Sequence, residues 1–299
     1  MTAMVTRTPQ LARRLFDRFE PVHALTYFSP ESISAFDNAG YRGFWMSYFA
    51  GRSAPLGAVA AEVVAAKFYN FSPAHVARAL PSAWTFAPPS AALEAREQSA
   101  AAALRRCGIA DDDQTRTATA LLKRAARSAP WAGRPLFAAN LALPWPDDPV
   151  ARLWHATTLL REQRGDAHVA VLVANGISGR ESNVLHSLAD RVPREFIVKS
   201  RHYDEDEWRD CTGRLVERGL VDDAGALTDA GRDLKQRIED TTDALALPAF
   251  DALDDADLTL LFRTLTPITR TVIAAGDIPA ATPMGLGRDD LDDDKPHLR

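Results

Sequence analysis

The chain has 299 residues, 46% of them hydrophobic and 25% charged, which is enough for one large or two medium globular domains. No apolar run reaches 18 residues, which excludes a membrane-spanning helix, and residues 1–10 lack the apolar segment of a secretory signal. Cys107 and Cys211 form neither a metal motif nor a disulfide framework, so we expect a cytoplasmic protein.

Charge is distributed unevenly along the chain. Residues 1–140 contain 16 basic and 10 acidic side chains, whereas residues 141–299 contain 19 basic and 30 acidic ones. A nucleic-acid-binding domain normally concentrates positive charge on its reading surface. The acidic balance of the second half therefore disfavours DNA as its partner.

Residues 1–140 are expected to form a helical N-terminal domain. Apolar residues recur at helical spacing over residues 8–28, and Ser29-Pro30 has the N-cap and first-turn residues of a second helix. Four further helices are predicted here, at residues 59–68, 72–80, 90–106 and 111–128.

The segment 129–149 is expected to be a linker, because its five prolines disfavour a regular helix. A second domain then covers residues 141–279. Its first helices are predicted at residues 149–164, 166–175 and 180–188, with a helix break at Gly165 and a short β-like segment at 196–198. Residues 280–299 are expected to be a disordered acidic tail.

The clearest secondary-structure signals in the second domain lie in residues 204–247. Asp204 and Glu207 have capping-box spacing before a helix that ends at Gly219. Residues 220–221 and 226–228 flank an Asp-Asp-Ala-Gly turn and predict a small β-hairpin. Long helices follow at residues 229–247 and 254–275; they resemble dimerisation helices and leave a homodimer open.

The sequences LVERGLV (215–221) and LTDAGR (227–232) resemble the wing region of the MarR-type winged helix. The resemblance implies that the helix before the hairpin lies in the major groove of DNA. The fold class expected is therefore mainly α, with winged-helix-like modules, a small β-hairpin wing and a helical N-terminal half.

The residues at the start of this helix contradict the usual function of that family. A recognition helix presents its N-terminal residues to DNA. Here those residues are acidic, the hairpin tip has no Arg or Lys, and Arg201, His202, Arg209 and Arg214 would have to outweigh the acids: Asp204, Glu205, Asp206, Glu207 and Asp210.

Three further stretches resemble a family of actinobacterial proteins related to SalK of polyether biosynthesis and described as helix-turn-helix-like. They are YFAGRSAPLG (48–57), FYNFSP (68–73) followed by Pro81 and Trp84, and LREQRGDAHV (160–169). The resemblance spans most of residues 20–250. It implies a fold and no particular chemistry.

The densest polar cluster consists of Glu162, Arg164, Asp166 and His168, which are the candidate catalytic residues. With a helix break at Gly165, His168 would lie in the first turn of a helix, where the dipole favours a neutral imidazole that can act as a base. The alternative is a polar turn that fixes a helix corner. The spacing matches no metal motif, so no metal site is predicted and the cofactor stays open.

A second candidate site is the aromatic stretch 41–49 together with residues 68–71. Aromatic walls with a few polar groups are typical of a small-molecule site. The predicted ligand-binding residues are Trp45, Tyr48, Arg52, Tyr69 and Asn70. The alternative is an ordinary core with its tyrosines at the edge.

Three functions remain open at this point. The first is a cytoplasmic protein that binds a small organic ligand, with a biosynthetic accessory enzyme as one form of it. The second is a ligand-responsive MarR-like transcription regulator. The third is a structural or partner-binding protein. The sequence leaves open whether the protein is an enzyme.

Overall fold

The computed structural model describes residues 7–189, 192–279 and 291, and within them every regular element is helical. The predicted acidic tail lies outside the described residues, apart from Leu291. The first eight α-helices are α1 (Pro9–Phe28), α2 (Pro30–Asn38), α3 (Gly43–Ser53), α4 (Ala61–Lys67), α5 (Pro73–Ala77), α6 (Ala83–Phe86), α7 (Pro89–Arg106) and α8 (Asp113–Ser128).

Seven more α-helices follow in the second half. They are α9 (Pro135–Leu141), α10 (Pro149–Ala174), α11 (Gly179–Leu188), α12 (Arg194–Arg201), α13 (Glu205–Glu217), α14 (Asp229–Ala246) and α15 (Asp255–Ala274). Two short 3-10 helices, Ala54–Leu56 and Leu247–Phe250, precede α4 and α15.

Several helices begin at the capping residues that the sequence predicts. The Ser29 hydroxyl accepts a hydrogen bond from the Ser32 N–H at 3.1 Å, and Pro30 occupies the first turn of α2. The Asp204 carboxylate accepts from the Glu207 N–H at 2.7 Å. These bonds satisfy backbone donors that a helix N-terminus otherwise leaves without a partner.

The long helix α10 lies at the centre of the fold. It is buried on nearly every side, as expected of a helix without a polar face. It packs against α1, α7, α8, α9 and α14. The largest apolar core surrounds it and contains the fully buried Trp154, Phe137 and Phe262. The packing of α10 against its neighbours therefore fixes the position of every site residue on this helix.

The predicted helix break at Gly165 is wrong, because α10 continues through this residue to Ala174. A mid-helix glycine costs only about 1 kcal/mol relative to alanine. Packing of α10 against five neighbouring helices outweighs a cost of that size. Asp166 is therefore in the middle of a helix, and it caps no helix of its own.

Gly165→Ala is expected to stabilise the protein by about 0.5–1 kcal/mol. A Cβ at this position would lie 3.5 Å from Glu162 Oε2 and 3.7 Å from Arg161 Nη1, which are ordinary contacts. Thermal unfolding of both proteins measures the effect. A lower melting temperature for the variant would contradict it. Gly179→Ala is the opposite control, because its Cβ would lie 1.8 Å from the Tyr69 carbonyl oxygen.

Two other local predictions are also wrong. Residues 129–149 contain α9, which starts with Pro135 in its first turn, where the missing N–H of proline is not needed. Residues 196–198 lie in α12, not in a strand, because Ile197 is fully buried on one helical face. Tertiary packing thus overrides the β-propensity of this short apolar run.

The predicted β-hairpin wing is not present. Between α13 and α14 the described residues form one isolated antiparallel bridge, Val221 with Leu227, and no strand. The Asp222 carboxylate accepts from the N–H groups of Ala224 and Ala226, which closes the chain into a tight turn. With helices ending at Glu217 and starting at Asp229, the arms are too short for a ladder. The mainly α part of the expected fold is confirmed.

The apolar faces of the two C-terminal helices pack within this chain. Helix α14 contacts α1 and α10, and α15 contacts α1 and α8. The homodimer stays a prediction. So does the domain division near residue 140; the largest core takes residues from both sides of it.

Candidate functional site

The four predicted catalytic residues divide between two faces of α10, because helical positions two apart are rotated by about 200° and those four apart by about 40°. Glu162 faces α3, Asp166 faces the start of α9, and Arg164 and His168 face α14. The described residues contain no group of three or more His, Cys, Asp or Glu arranged to hold a metal ion. The cluster seen in the sequence therefore separates into three sites.

Glu162 is the centre of a buried ionic network. Its carboxylate accepts two hydrogen bonds from Arg52, at 3.0 and 3.1 Å, and a third from Arg161 at 2.9 Å. Arg161 also pairs with the fully buried Glu20 at 3.3 Å. Burial would raise the pKa of Glu162, but the charges of Arg161 and Arg52 hold it below its ordinary value. Glu162 is therefore ionised, and its pairing is with arginines.

Asp166 fixes the start of α9. Its carboxylate accepts the backbone N–H groups of Leu136 and Phe137, both at 2.9 Å, and it forms an ion pair with Lys67. A carboxylate is stabilised at a helix N-terminus by the free N–H groups and the helix dipole. Asp166 therefore stabilises the N-terminus of α9.

Arg164 and His168 contact α14. The Arg164 guanidinium donates to Asp243 at 2.8 Å and to Glu239 at 3.2 Å. His168 Nδ1 lies 3.0 Å from the Thr242 hydroxyl, which itself donates to the Ile238 carbonyl oxygen. Nδ1 must then carry the proton, which leaves Nε2 as an acceptor.

The His168 imidazole is neutral, as the sequence predicts, but for a different reason. Burial lowers its pKa to about 4, with Glu239 opposing and Arg164 reinforcing this effect. The dipole at a helix N-terminus has no part in it, because His168 lies far inside α10.

Stability is expected to fall with acidification partly because of His168. Between its ordinary pKa of 6.5 and its folded pKa of about 4, the unfolded chain binds a proton here and the folded chain does not. This contribution is complete above pH 6.5 and is lost as pH falls towards 4. His168→Gln should reduce the loss between pH 7 and 5 by about 1–2 kcal/mol, measured by urea unfolding. Equal pH slopes for the two proteins would refute the assignment.

The predicted ligand-binding residues also contact different parts of the fold. Arg52 donates to the Tyr48 hydroxyl at 3.2 Å, and its guanidinium lies 4.3 Å from the centre of the Phe68 ring. Tyr69 donates to the Ile177 carbonyl oxygen at 2.9 Å, and the Asn70 carbonyl oxygen accepts from Asn183. The loop 69–70 thereby joins the N-terminal half to α11.

Two cavities adjoin these residues. The aromatic cavity lies between α1, α2, α3 and α10, and the cationic cavity lies between α10, α11 and α14; their volumes, about 740 Å³ and about 1170 Å³, include the solvent at their open mouths. Tyr48 and Arg52 border both. Glu162 borders the aromatic cavity, and the cationic cavity is also bordered by Tyr69, Asn70, Arg164 and His168. Trp45 lines neither; it packs against Phe49, Phe71 and His75.

The cationic cavity has several charged lining residues that the sequence did not single out as a site. Seven cationic side chains line it, against the single carboxylate of Glu239: Arg13, Arg52, Lys67, Arg161, Arg164, Arg201 and Lys235. They come from six helices distant in sequence, so no local spacing could reveal them. Arg201, which the sequence suggested as a DNA contact, is 7% exposed.

Beside this cavity lies the segment for which the sequence predicts a winged-helix-like module. Helices α11, α12 and α13 pack around a separate core that includes Ile197, Trp208 and Leu215. A family model described as a helix-turn-helix family matches residues 12–279. The chain belongs to this helix-turn-helix family. Searches of curated proteins and of solved structures give no significant match. No helix in the described part of the chain is both long and apolar enough to cross a membrane.

The surface of this helix-turn-helix protein at the start of α13 is acidic. The side chains of Glu205 and Asp206 are 77% and 80% exposed, and Asp204 and Asp210 are exposed too. Trp208 is the residue of this turn that points inward. The acids therefore occupy the outer face of the helix that the resemblance to MarR-type proteins would place in a DNA groove.

Arginines near α13 form ion pairs with acidic residues of α11 and α13. Arg194 pairs with Glu205, Arg209 with Asp206, Arg180 with Glu207 and Arg214 with Glu181, all at 2.6 to 2.8 Å. Paired in this way, they add little positive potential to a surface on which carboxylates are the most exposed groups.

Proposed function

We propose that this helix-turn-helix protein binds a small organic ligand in the cationic cavity and does not use α13 to read DNA. The proposal rests on one observation: residues predicted separately from the sequence lie around the same cavity. Tyr48, Arg52, Tyr69 and Asn70, all predicted as ligand-binding residues, border one cavity together with His168. A large cleft with aromatic walls and a few converging polar groups is the usual form of a small-molecule site.

The cavity also lies where a ligand can influence two parts of the fold. It is bordered by the N-terminal half through Phe68 and Phe71, and by α11 and α12 through Asn183 and Arg201. Ligand pockets occur preferentially where separately packed units meet. The helices around Phe68 and Phe71 have one hydrophobic core, and α11, α12 and α13 have another. The cavity therefore lies between two separately packed parts of the chain.

His168 is the residue of the predicted catalytic cluster best suited to accept a proton from a ligand. Glu162 and Asp166 are occupied by arginine, lysine and backbone donors, whereas neutral His168 keeps its Nε2 lone pair. The resemblance to SalK-related proteins of actinobacteria fits an accessory enzyme of biosynthesis, and this finer assignment is part of the proposal.

A DNA-binding regulator is the alternative that the family name supports. The acidic face of α13 and the absence of a wing among the described residues favour the ligand-binding function over it. Carboxylates near phosphates repel them, and a wing normally adds backbone contacts.

Native mass spectrometry tests ligand binding directly. The full chain is purified from the organism that encodes it, alongside Gly165→Met, whose side chain would enter the cavity from α10. We expect a bound small molecule on the natural protein and its loss from the variant. Gly213→Met is the matched control, because nothing lies within 4 Å of a Cβ at this helical glycine. No bound molecule, or equal occupancy in Gly165→Met, would overturn the proposal.

A gel-shift experiment tests the DNA alternative. At ~50 mM salt, where nonspecific binding is strong, genomic fragments are expected to stay unbound. Replacing Asp206 and Asp210 with lysine should produce salt-sensitive binding, which shows that the assay can detect it. A shift with the natural protein would favour a regulator.

A further inference from the structure

We propose that the ligand of the cationic cavity is an organic anion, a carboxylate or a phosphate ester, and that Arg201 binds its charged group. This inference rests on the proposed ligand-binding function and adds the chemical class of the ligand. The relevant observation is a buried arginine, at the end of α12, that has no acidic partner.

Arg201 differs from the other cations that line the cavity. Each of the other six is paired with a carboxylate, in the cavity wall or behind it: Arg13, Arg164 and Lys235 with Glu239, Arg52 and Arg161 with Glu162, and Lys67 with Asp166. No carboxylate among the described residues lies within ion-pair distance of Arg201. Its positive charge is therefore the one that the protein itself leaves uncompensated in this wall.

The hydrogen-bonding capacity of Arg201 is also largely unused. Its Nη1 donates to the Ser200 carbonyl oxygen at a long 3.4 Å, and its Nε is buried without a hydrogen-bond partner. The guanidinium lies 4.3 Å from the centre of the Phe71 ring, which holds the plane in place. A planar guanidinium with free N–H groups matches the geometry of a carboxylate or a phosphate.

The electrostatic surroundings agree with an anion site. Burial lowers the pKa of Arg201 to about 10, Tyr48 opposes the effect, and Arg52 adds to it. A bound anion would compensate the charge of Arg201 and relieve its repulsion by Arg52.

The remaining walls define the rest of the ligand. Aromatic rings of Phe16, Tyr48, Phe68 and Phe71 border the cavity, so the charged group is joined to an apolar or aromatic body. Free inorganic phosphate would contact Arg201 but leave these rings without a partner. We therefore expect organic anions to bind more tightly than inorganic ones of equal charge.

Thermal unfolding of the full chain with three probes at constant ionic strength tests the inference. The probes are benzoate, phenyl phosphate and neutral benzamide. At millimolar concentrations the two anions should raise the melting temperature, and benzamide should raise it less than either. Equal shifts with benzamide would overturn the assignment of charge while leaving a small-molecule site intact. No shift with either anion would overturn the inference outright, whether or not native mass spectrometry finds a ligand.

Variants locate the binding group. Arg201→Met should weaken binding of the preferred anion at least 10-fold by calorimetry, Arg201→Lys should restore part of the affinity, and Arg209→Met, on the exposed face of α13, should leave it unchanged. Where Arg201→Met does not fold, the comparison of Arg201→Lys with Arg209→Met decides. Equal affinity of the natural protein and the Arg201 variants would contradict the role of Arg201.

Discussion

Replacing Arg201 with methionine is expected to stabilise the ligand-free protein by about 1–3 kcal/mol, although it weakens anion binding. A buried charge without a partner is costly, and an apolar side chain of similar length removes that cost while keeping contact with Phe71. Chemical unfolding in a chloride buffer measures the change. A gain of this size would raise the melting temperature by several degrees.

The matched comparison is Arg164→Met in the same cavity wall. Arg164 is paired with Asp243 and Glu239, so its removal leaves buried carboxylates less compensated and should destabilise the protein. Opposite signs for these two arginine variants are the specific expectation. A loss of stability in Arg201→Met as large as that in Arg164→Met would mean that Arg201 has a structural role.

Glu162→Gln should destabilise the protein by about 3–5 kcal/mol, the range found when one partner of a buried ion pair is removed. The amide keeps the shape of the side chain but leaves Arg52 uncompensated and Arg161 with Glu20 as its remaining acid. Urea unfolding measures the loss. Because volume is preserved, a cavity cannot explain it.

A double variant separates charge from packing at this position. Glu162→Met with Arg52→Met removes both charges and should recover most of the stability lost in Glu162→Gln. Glu205→Gln is the control for an exposed pair, since Glu205 and Arg194 are 77% and 47% exposed and should contribute below about 1 kcal/mol. No recovery in the double variant would contradict the ionic account of Glu162.

Local signals in the sequence predict many helix boundaries because the physics of a helix start is local. Ser29-Pro30 and Asp204 begin helices where their capping bonds indicate. Gly165 shows where local reasoning fails, since contacts with distant helices keep α10 intact through a glycine. The wing fails for a related reason: an Asp-Asp-Ala-Gly turn fits a hairpin, but strands also need arms longer than the few residues between α13 and α14.

The candidate site was predictable in its parts but not in its arrangement. The aromatic stretch and His168 border a cavity, yet Glu162 and Asp166 are used in pairing and capping, which depend on Arg52, Lys67 and the start of α9. Arg201 looked like a DNA contact because it comes just before the helix that the sequence compares with a recognition helix. Its burial against Phe71 depends on packing between segments about 130 residues apart, which a single sequence does not show.

A crystal structure of the protein purified from its own organism tests the central claim most directly. Electron density for an organic anion in the cationic cavity, with an oxygen within hydrogen-bond distance of the Arg201 guanidinium, is the predicted result. A cavity containing ordered water alone, or closed by protein side chains around Arg201, would contradict the claim.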